Sequence, residues 1–377
     1  MTNVFSASST ASSPIPTLTI IFHLPSSLPS RQPQSPHPQP YSQHHYHFLP
    51  LWHSHLHSLM HRFKSSEHVL GYELINEPWA GDVYASPKSL LPTYAEQHYL
   101  QPMYEYLHKK IRSVDDEKII FFEGLTISYW RSGFTAGPGG VEYNDRQVMA
   151  YHVYCPTNGG PAAKVFACDL IDDYFFSRRM NDGERLGVGL MMTEFGAAED
   201  IKSDLAVLEA VTSKADSFKQ SWMYWQFKYY QDITTCTPQG ESLYNADGTV
   251  CEDKLKILSR TYPQAVAGDI VNYKYTTRNG DFEMTFLPLN KDYLGLASDE
   301  GKVTIIYVNT DMTYPRGLDV NLTSTNDVSQ VFEVSCPSTV LKTGRNEVRI
   351  KQLTSFIDEV KVEIMACKMA GSCSCRF

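Results

Sequence analysis

The stretch Val69-Leu-Gly-Tyr-Glu-Leu-Ile-Asn-Glu-Pro-Trp79 decides the fold of this chain. Its first residues form a near-continuous apolar run, which is typical of a strand buried on both faces of a parallel sheet. Pro78 has no N–H to donate to a neighbouring strand, so a strand is predicted over residues 69–76. The chain therefore places an amide and a carboxylate, Asn76 and Glu77, at the carboxyl end of a buried strand, where the ends of parallel strands share one crevice.

Four more apolar strands follow this stretch, and helical patterns separate them. The predicted strands cover residues 118–123, 148–154, 188–194 and 221–227. The predicted helices cover residues 93–111, 169–181, 201–217 and 254–262. A further helical pattern, Leu56, Leu59, Met60 and Phe63, leads into the first strand. Strands that alternate with helices predict βα units and a parallel sheet, which is an α/β fold.

After Gly268 the pattern changes to short strands with alternating apolar residues. Arg278-Asn-Gly280 joins two of them and predicts a tight β-hairpin between residues 271–276 and 281–286. Five more strands are predicted over residues 303–308, 317–321, 331–335, 347–351 and 359–365. This part of the chain is predicted to be a small all-β sandwich domain. Its Asn321-Leu-Thr323 is a glycosylation sequon, which has meaning only in a secreted chain.

The first 50 residues differ from the rest of the chain. They contain ten Ser, nine Pro and five His, and neither Asp nor Glu. Such a segment buries too little apolar surface to offset the entropy of ordering, so we predict that it is disordered. The histidines at positions 53, 55, 57 and 61 favour a biased polar segment over a metal site, because no Cys or carboxylate accompanies them. The predicted domains are a disordered segment 1–53, an α/β domain 54–267, a β-sandwich 268–368 and a tail 369–377.

Composition limits the classes of partner. The chain has 377 residues, a net charge of -9 and no basic stripe, which argues against nucleic acid. Aromatic residues make up 12% and include 23 Tyr, which slightly favours sugar binding over the ordinary use of Tyr in cores. The longest apolar runs are too short for a transmembrane helix. Thr17–Leu24 is apolar, but no basic residue precedes it, so it is a poor signal peptide.

Eight cysteines allow four disulfides. Cys155 and Cys168 bracket one short loop, and Cys236 and Cys251 bracket another. This spacing favours loop-closing bridges in an oxidising compartment, with free thiols as an equal alternative. Cys373 and Cys375 are too isolated in the sequence to predict a zinc site.

Three carboxylates end predicted strands: Glu77, Glu123 and Glu194. Hydrolysis of a glycoside needs one carboxyl group that protonates the leaving oxygen and a second, ionised carboxylate that acts as nucleophile or base. Each of the three also has an ordinary structural interpretation, since a glutamate at a strand end often caps a loop or forms an ion pair.

Other side chains at the same strand ends suit a sugar site. Asn76 is positioned to bind a sugar 2-hydroxyl, a contact that strengthens toward the transition state. Tyr154 is expected to hold the second carboxylate ionised by donating a hydrogen bond. Trp225 is expected to floor the pocket.

The combination of motifs resembles a known family. Ile75–Pro78, Tyr151–Tyr154, Thr193–Gly196 and Trp222–Phe227 occur in this order, one on each of four strands. This order is similar to strands four, six, seven and eight of a glycoside hydrolase family 5 barrel. Residues 71–82 narrow the resemblance to the endoglycoceramidase branch, and residues 261–268 before a β-sandwich support it.

The resemblance implies a (β/α)8 TIM barrel and a retaining mechanism. It implies Glu77 as the acid/base, Glu194 as the nucleophile, and Asn76, His152, Tyr154 and Trp225 as sugar-binding residues. Glu123 then binds substrate or supports its loop. The implied substrate is a β-glycoside of ceramide, cut between glycan and lipid, and the chemistry needs neither metal nor cofactor. The resemblance also implies a secreted or lysosomal monomer that contacts a membrane peripherally.

One departure from the family pattern affects the fold. A family barrel has three βα units before the Asn-Glu-Pro strand, whereas this chain has the Ser/Pro/His-rich segment there. The predicted fold is therefore a partial barrel, strands four to eight, followed by the β-sandwich. We expect the first half of the barrel and a signal peptide to lie outside this chain, and little activity from the chain as written. Glu73 lies four residues before Glu77, so in a regular strand both side chains share one face, and Glu73 is predicted to point inward.

Two alternatives to an endoglycoceramidase stay open. One is another family 5 β-glycosidase, acting as a β-glucosidase, a glucosylceramidase or a steryl glucosidase. The other is a non-catalytic fragment that binds glycans or glycolipids.

Overall fold

A computed structural model describes most of the chain. The described residues are 3–5, 20–22, 60–126, 130–154, 161–199, 201–229, 241–336, 346–368 and 373–375. Within them no helix is both long enough and apolar enough to cross a membrane. The described chain forms one mainly parallel sheet with helices, followed by two antiparallel sheets.

The first sheet contains seven strands in chain order. They are β1 (Asn3–Phe5), β2 (Ile20–Phe22), β3 (Gly71–Glu73), β4 (Ile119–Glu123), β5 (Gln147–Val153), β6 (Gly189–Gly196) and β7 (Ser221–Trp225). β1 and β2 are antiparallel, and β2 to β7 are parallel. The five strands predicted from the sequence are β3 to β7, so the prediction of a parallel α/β sheet is confirmed, and these strands form a half-barrel.

Two strands come from a segment in which the sequence predicts none. In β2, Ile21 lies opposite Gly71 and Phe22 lies opposite Tyr72, so β2 covers the outer edge of β3. Some Cα atoms of β1 lie within 8 Å of β7. Apart from β1 and β2, the predicted disordered segment 1–53 lies outside the described residues.

The helices follow the predicted order but differ in extent. They are α1 (Gln101–Arg112), α2 (Pro161–Leu186), α3 (Lys202–Ser217), α4 (Glu252–Leu258) and the unpredicted α5 (Lys291–Leu296). Short 3-10 turns cover Pro87–Leu90, Val141–Arg146 and Glu300–Lys302. Residues 60–63 are helical, as predicted. The last predicted helix was wrong at its end, because the chain leaves the helix after Leu258 and enters a strand at Tyr262.

A single π turn, Glu96–Leu100, precedes α1. The N–H of Gln101 bonds the carbonyl of Glu96, five residues earlier. Pro102 follows at once and has no N–H for the regular helical ladder, which accounts for the irregular turn.

Successive side chains of the parallel strands point to opposite faces of the sheet, which produces one apolar core inside the half-barrel and another between the sheet and the helices. Phe121, Ala150 and Met223 are buried together on the inner face of the half-barrel. Their neighbours Ile120 and Phe122 point the other way and pack against the helices. The side chains two residues further along the inner face therefore lie at the carboxyl end of the sheet, on the concave side of the half-barrel.

The C-terminal strands form the predicted β-sandwich. They are β8 (Tyr262–Ala265), β9 (Gly268–Thr276), β10 (Asp281–Pro288), β11 (Val303–Tyr307), β12 (Leu318–Thr323), β13 (Phe332–Ser335), β14 (Glu347–Gln352) and β15 (Val360–Ala366). One sheet has the order β12-β15-β10-β9 and the other β13-β14-β11-β8. Both line one core of apolar side chains that includes Phe282, Ile306, Val348 and Val362. The hairpin predicted at residues 278–280 is confirmed by the pairing of β9 with β10.

Two disulfides tie the end of the chain to the sandwich: Cys336–Cys375 and Cys367–Cys373. The sequence did not predict these pairs. Of the predicted loop-closing pairs, Cys155 and Cys236 lie outside the described residues, and Cys168 lies in α2. Cys251 is buried, with its Sγ 3.2 Å from Asn245 Oδ1.

The half-barrel and the sandwich meet at a buried arginine, Arg260. Its Nη2 and Nε lie 2.6 and 3.0 Å from Asp216 Oδ2 at the end of α3. Its Nη1 donates to Thr212 Oγ1 at 3.2 Å, and Nη2 also donates to the Tyr275 carbonyl of β9 at 3.2 Å. These contacts, which we call the Arg260 cluster, join the last helices of the first domain to a strand of the second.

Candidate active site

Carboxylates and one imidazole gather at the carboxyl end of the half-barrel. Glu73 ends β3, Glu123 ends β4, His152 lies near the end of β5, and Glu194 lies on β6. Glu73, Glu123 and His152 continue the inner face of their strands, as the alternation requires, whereas Glu194 reaches the same face through an irregularity in β6. With Glu77, these residues form what we call the carboxylate cluster.

A β-bulge in β6 sets the position of Glu194. Tyr151 lies opposite Met192, but the next residue of β5, His152, lies opposite Glu194, so Thr193 is an extra residue. Thr193 donates from Oγ1 to Glu73 Oε1 at 3.1 Å, while Glu194 faces His152. The bulge thus directs two consecutive side chains into the same site, which simple alternation cannot do.

Glu77 reaches the cluster from a loop. The strand predicted over residues 69–76 ends at Glu73, so Glu77 lies beyond it, while Glu73 points inward as predicted. Glu77 has a φ of 44°, a conformation that few non-glycine residues adopt. Its N–H donates to Glu123 Oε2 at 2.7 Å. Glu123 therefore holds the backbone of Glu77, a supporting role that the sequence left open.

His152 lies at the centre of the cluster. Its Nδ1 is 2.9 Å from Glu77 Oε1 and 3.6 Å from an oxygen of both Glu123 and Glu194. Burial lowers the pKa of His152, but the surrounding carboxylates, Glu123 foremost, raise it to about 10. The ring is therefore an imidazolium at neutral pH. Among the described residues, its buried Nε2 has no hydrogen-bond partner.

Glu123 is deeply buried, and of the four carboxylates around His152 only Glu73 is less exposed. Burial raises its pKa to about 8, and the positive charge of His152 opposes this shift. Its backbone carbonyl accepts a hydrogen bond from Tyr104 Oη at 2.8 Å. Because Glu123 is fixed by both backbone and side chain, the loop that it holds is fixed as well.

Glu194 and Glu77 have different surroundings. The Glu194 side chain is 10% exposed and accepts a hydrogen bond from Tyr154 Oη at 2.6 Å. Burial and the charge of Glu194 raise the pKa of Tyr154 well above its ordinary value, so the phenol remains a donor. The Glu77 side chain is 34% exposed. One carboxylate is thus enclosed and held, while the other is open to exchange with solvent.

The two remaining predicted residues lie at the rim of the cluster. Asn76 precedes Glu77 in the same loop and is half-buried. Trp225 ends β7, packs beside the inner core and donates from Nε1 to Glu241 Oε2 at 3.1 Å. No sequence motif pointed to Glu241, whose backbone carbonyl also accepts a hydrogen bond from Gln226 N–H at 2.8 Å. Glu241 lies 16 residues after Trp225 in the sequence, and only the fold brings the two side chains together.

The cluster also has the donor atoms of a cation site. One atom each from Glu73, Glu123 and His152, or from Glu77, His152 and Glu194, lie within 4.8 Å of one another. The imidazole of His152 belongs to both sets. Its raised pKa favours the protonated ring, whereas a metal ion binds the neutral ring. The donor chemistry therefore favours proton transfer over metal binding.

Two family profiles match the sequence of this chain, and solved structures share its fold. Residues 36–231 match the profile described as Cellulase (glycosyl hydrolase family 5). Residues 260–362 match the Glycoside hydrolase family 5 C-terminal domain. The structures of endo-glycoceramidase II from Rhodococcus sp. include a ganglioside GM3 complex with a TM-score of 0.64 and 20% identity to this chain. That likeness covers 85% of this chain and 64% of the other.

Two relatives are more similar in sequence. An endoglycoceramidase of Cyanea nozakii is 36% identical over 264 residues, covering 69% of this chain and 48% of the relative. An endoglycoceramidase of Hydra vulgaris is 36% identical over 257 residues, covering 68% and 45%. This chain therefore spans about half the length of these curated relatives, and it belongs to glycoside hydrolase family 5.

Proposed function

We propose that the carboxylate cluster is the active site of a retaining O-glycosyl hydrolase. The observation that carries this proposal is the spacing of Glu77 and Glu194, which present carboxylate oxygens within 4.8 Å of each other. Retaining glycosidases hold their two carboxyl groups about 5 Å apart, whereas inverting enzymes need about 6.5–9.5 Å to admit a water molecule. The spacing here fits direct attack by a carboxylate on the sugar.

The two carboxylates have separate roles in this proposal. Glu194, ionised and held by Tyr154, attacks the anomeric carbon and forms a glycosyl-enzyme ester. Glu77 protonates the departing glycosidic oxygen, then removes a proton from the water that hydrolyses the ester. The exposure of Glu77 supports this role, because its carboxyl group must exchange protons between the two steps. The His152 Nδ1–H bond to Glu77 Oε1 fixes the carboxyl group and leaves Oε2 for the proton.

The sugar is held by groups around this pair. His152 Nε2 is a buried donor suited to a sugar hydroxyl, and Asn76 lies beside Glu77 to bind the 2-hydroxyl. Tyr154 and the Trp225 ring complete the pocket. Glu123 supports Glu77 and does not take part in proton transfer.

The proposed substrate is a β-glycoside of ceramide in a glycosphingolipid. The two curated relatives are endoglycoceramidases, and one neighbouring structure is a ganglioside complex. The proposal includes a partial TIM barrel in which β3 to β7 take the places of strands four to eight. It also includes a secreted or lysosomal monomer with peripheral membrane contact.

Covalent trapping tests the mechanism at the level of single residues. The chain is incubated with an activated 2-deoxy-2-fluoro β-glycoside, and the labelled peptide is identified by mass spectrometry. We expect the label on Glu194 and its loss in Glu194→Gln, with Glu77→Gln as a matched control that keeps the nucleophile. A label on Glu77 or Glu123 would overturn the assignment.

Turnover is tested separately with a fluorescent glycosphingolipid. We expect little oligosaccharide release by the 377-residue chain and robust release by a longer form that supplies a complete barrel. Simple β-glucosides and steryl glucosides, assayed in parallel, separate the other family 5 β-glycosidases. If neither form turns over any of these substrates or accepts the label, the chain is a non-catalytic fragment.

A further inference from the structure

Asn321-Leu-Thr323 is the single Asn-X-Ser/Thr sequence of the chain. We propose that Asn321 is the acceptor of an N-linked glycan, and that this glycan covers the free end of the edge strand β12. The proposal concerns the β-sandwich and does not depend on the catalytic assignment.

The strand presents both recognition residues outward. In β12, Val320 and Leu322 are partly buried against the sandwich core. Asn321 and Thr323 alternate with them and are exposed. Because i and i+2 residues of a strand share one face, the acceptor amide and the threonine hydroxyl lie side by side in solvent.

The local hydrogen bonding tolerates the modification. Asn321 Nδ2 donates to Glu363 Oε2 on β15 at 3.1 Å. In the transfer, Nδ2 bonds the anomeric carbon of a lipid diphosphate-linked oligosaccharide, the bond from that carbon to the diphosphate breaks, and Nδ2 loses one of its two protons. The second proton remains to donate to Glu363, so the folded strand need not change.

The position on the sheet gives the glycan a structural role. β12 is the outer strand of the order β12-β15-β10-β9. On its open side, Leu318 exchanges two backbone hydrogen bonds with Cys375, and Val320 N–H donates to Ser374 Oγ. In an antiparallel sheet every second residue directs its N–H and C=O to the same side, so Leu322 is the next residue after Val320 with these groups on the open side. The hydrogen bonds from the described C-terminal residues to this side of β12 end at Val320.

Within the part of the chain that the structure describes, the open end therefore lies at Leu322, between the acceptor Asn321 and Thr323. An uncovered strand edge is a template for pairing with another chain, and a bulky polar group beside it prevents such pairing. A glycan on Asn321 would extend the cover that the C-terminal segment begins.

The disulfides supply a second, independent observation. Cys336–Cys375 and Cys367–Cys373 hold the covering segment in place beside β12. Such bridges form in oxidising compartments such as the endoplasmic reticulum lumen, where N-glycans are added. The segment and the glycan would thus be acquired together.

The test is to express the full chain with a cleavable secretion leader in eukaryotic cells and to measure intact mass in both medium and cell extract. We expect the mass of one glycan, removed by peptide N-glycosidase F. Asn321→Gln and Thr323→Ala are each expected to lose it completely. Thr323→Ser, which preserves the sequon, is the matched control and should keep it.

Two results would overturn the proposal. An unmodified wild-type chain in the cell extract would refute the acceptor, since transfer in the lumen does not require export. For the edge role, sedimentation of the glycosylated and enzymatically deglycosylated protein is compared at equal concentration. We expect self-association after deglycosylation, and identical sedimentation would refute the covering role.

Discussion

The Arg260 cluster and the carboxylate cluster are both buried and charged, but their charges are arranged differently. Arg260 has an anion, Asp216, and further oxygen acceptors for its guanidinium. In the carboxylate cluster, four glutamates surround a single imidazole among the described residues. The first arrangement compensates each charge, whereas the second leaves negative charge in excess.

This difference shows that buried charged groups serve two purposes in this molecule: those of the Arg260 cluster hold the structure together, and those of the carboxylate cluster suit proton transfer. A buried ion pair with all its hydrogen bonds made holds two elements in one geometry, and breaking it is costly. Crowded carboxylates repel one another and shift their protonation, which is how a site obtains one protonated and one ionised acid at the same pH. The following predictions test whether the two clusters respond in these opposite ways.

The largest effect is expected at Arg260. In Arg260→Met, Asp216 becomes a buried carboxylate without its cation, so the free energy of unfolding should fall by about 3–5 kcal/mol. Urea denaturation measures this change. The control is the double variant Arg260→Met with Asp216→Leu, which removes both charges and should recover most of the loss. A single variant as stable as wild type would contradict the structural role.

The carboxylate cluster should make stability depend on pH. His152 is protonated in the folded state up to about pH 10, but in the unfolded chain only up to about 6.5. Its stabilising contribution is therefore complete below pH 6.5 and is lost as pH rises toward 10. Glu123, with a folded pKa of about 8, acts in the same direction between about 4.5 and 8.

We expect the free energy of unfolding to fall by about 3 kcal/mol between pH 6.5 and 9, at up to about 1.4 kcal/mol per pH unit for each proton released. Glu123→Gln removes one titrating group and weakens the attraction that raises the His152 pKa, so its stability should fall less steeply. Denaturation of both proteins at several pH values measures the two slopes. Equal slopes would show that Glu123 and His152 are not coupled.

Tyrosine hydroxyls offer a matched pair of smaller changes. Tyr314 Oη is fully buried beneath the sandwich, where it donates to the Gly280 carbonyl at 2.6 Å and lies 2.9 Å from Thr261 Oγ1. Tyr314→Phe leaves these groups unpaired and should cost about 1–2 kcal/mol in unfolding free energy. Tyr154→Phe should cost less than half as much, because His152 also contacts Glu194. Equal losses by thermal denaturation would contradict this contrast.

The smallest effect on stability is expected at Glu194. Glu194→Gln relieves the repulsion among the crowded carboxylates, so the variant should be as stable as wild type or more stable by up to about 1 kcal/mol, with loss of covalent labelling. Chemical denaturation and the labelling assay provide the two readouts. Marked destabilisation would mean that Glu194 supports the fold.

The strand-end motifs carried most of what the sequence could predict. Glu77, His152, Tyr154 and Glu194 were named from the chain and do come together. Their roles stay predictions. The five parallel strands and the sandwich hairpin were also predictable, since both depend on local periodicity and turn residues.

What the sequence did not predict depends on contacts between distant residues. The loop conformation of Glu77 is held by Glu123, 46 residues later. Glu241 reaches Trp225 only because the chain returns to β7. The pairing of β2 with β3 joins residues about fifty positions apart, in a segment whose composition favours disorder. No short-range pattern encodes such contacts.

The bulge in β6 has a consequence for how such a site changes during evolution. If Thr193 were removed, the side chains of Met192, Glu194 and Phe195 would point alternately to the two faces of the sheet. The extra residue therefore does not change which face each of its neighbours occupies. The hydroxyl group that donates to Glu73 thus comes from an inserted residue, and no existing side chain had to be replaced. A strand with this property can gain or lose a functional group through a single codon insertion or deletion, while the residues on either side keep their places.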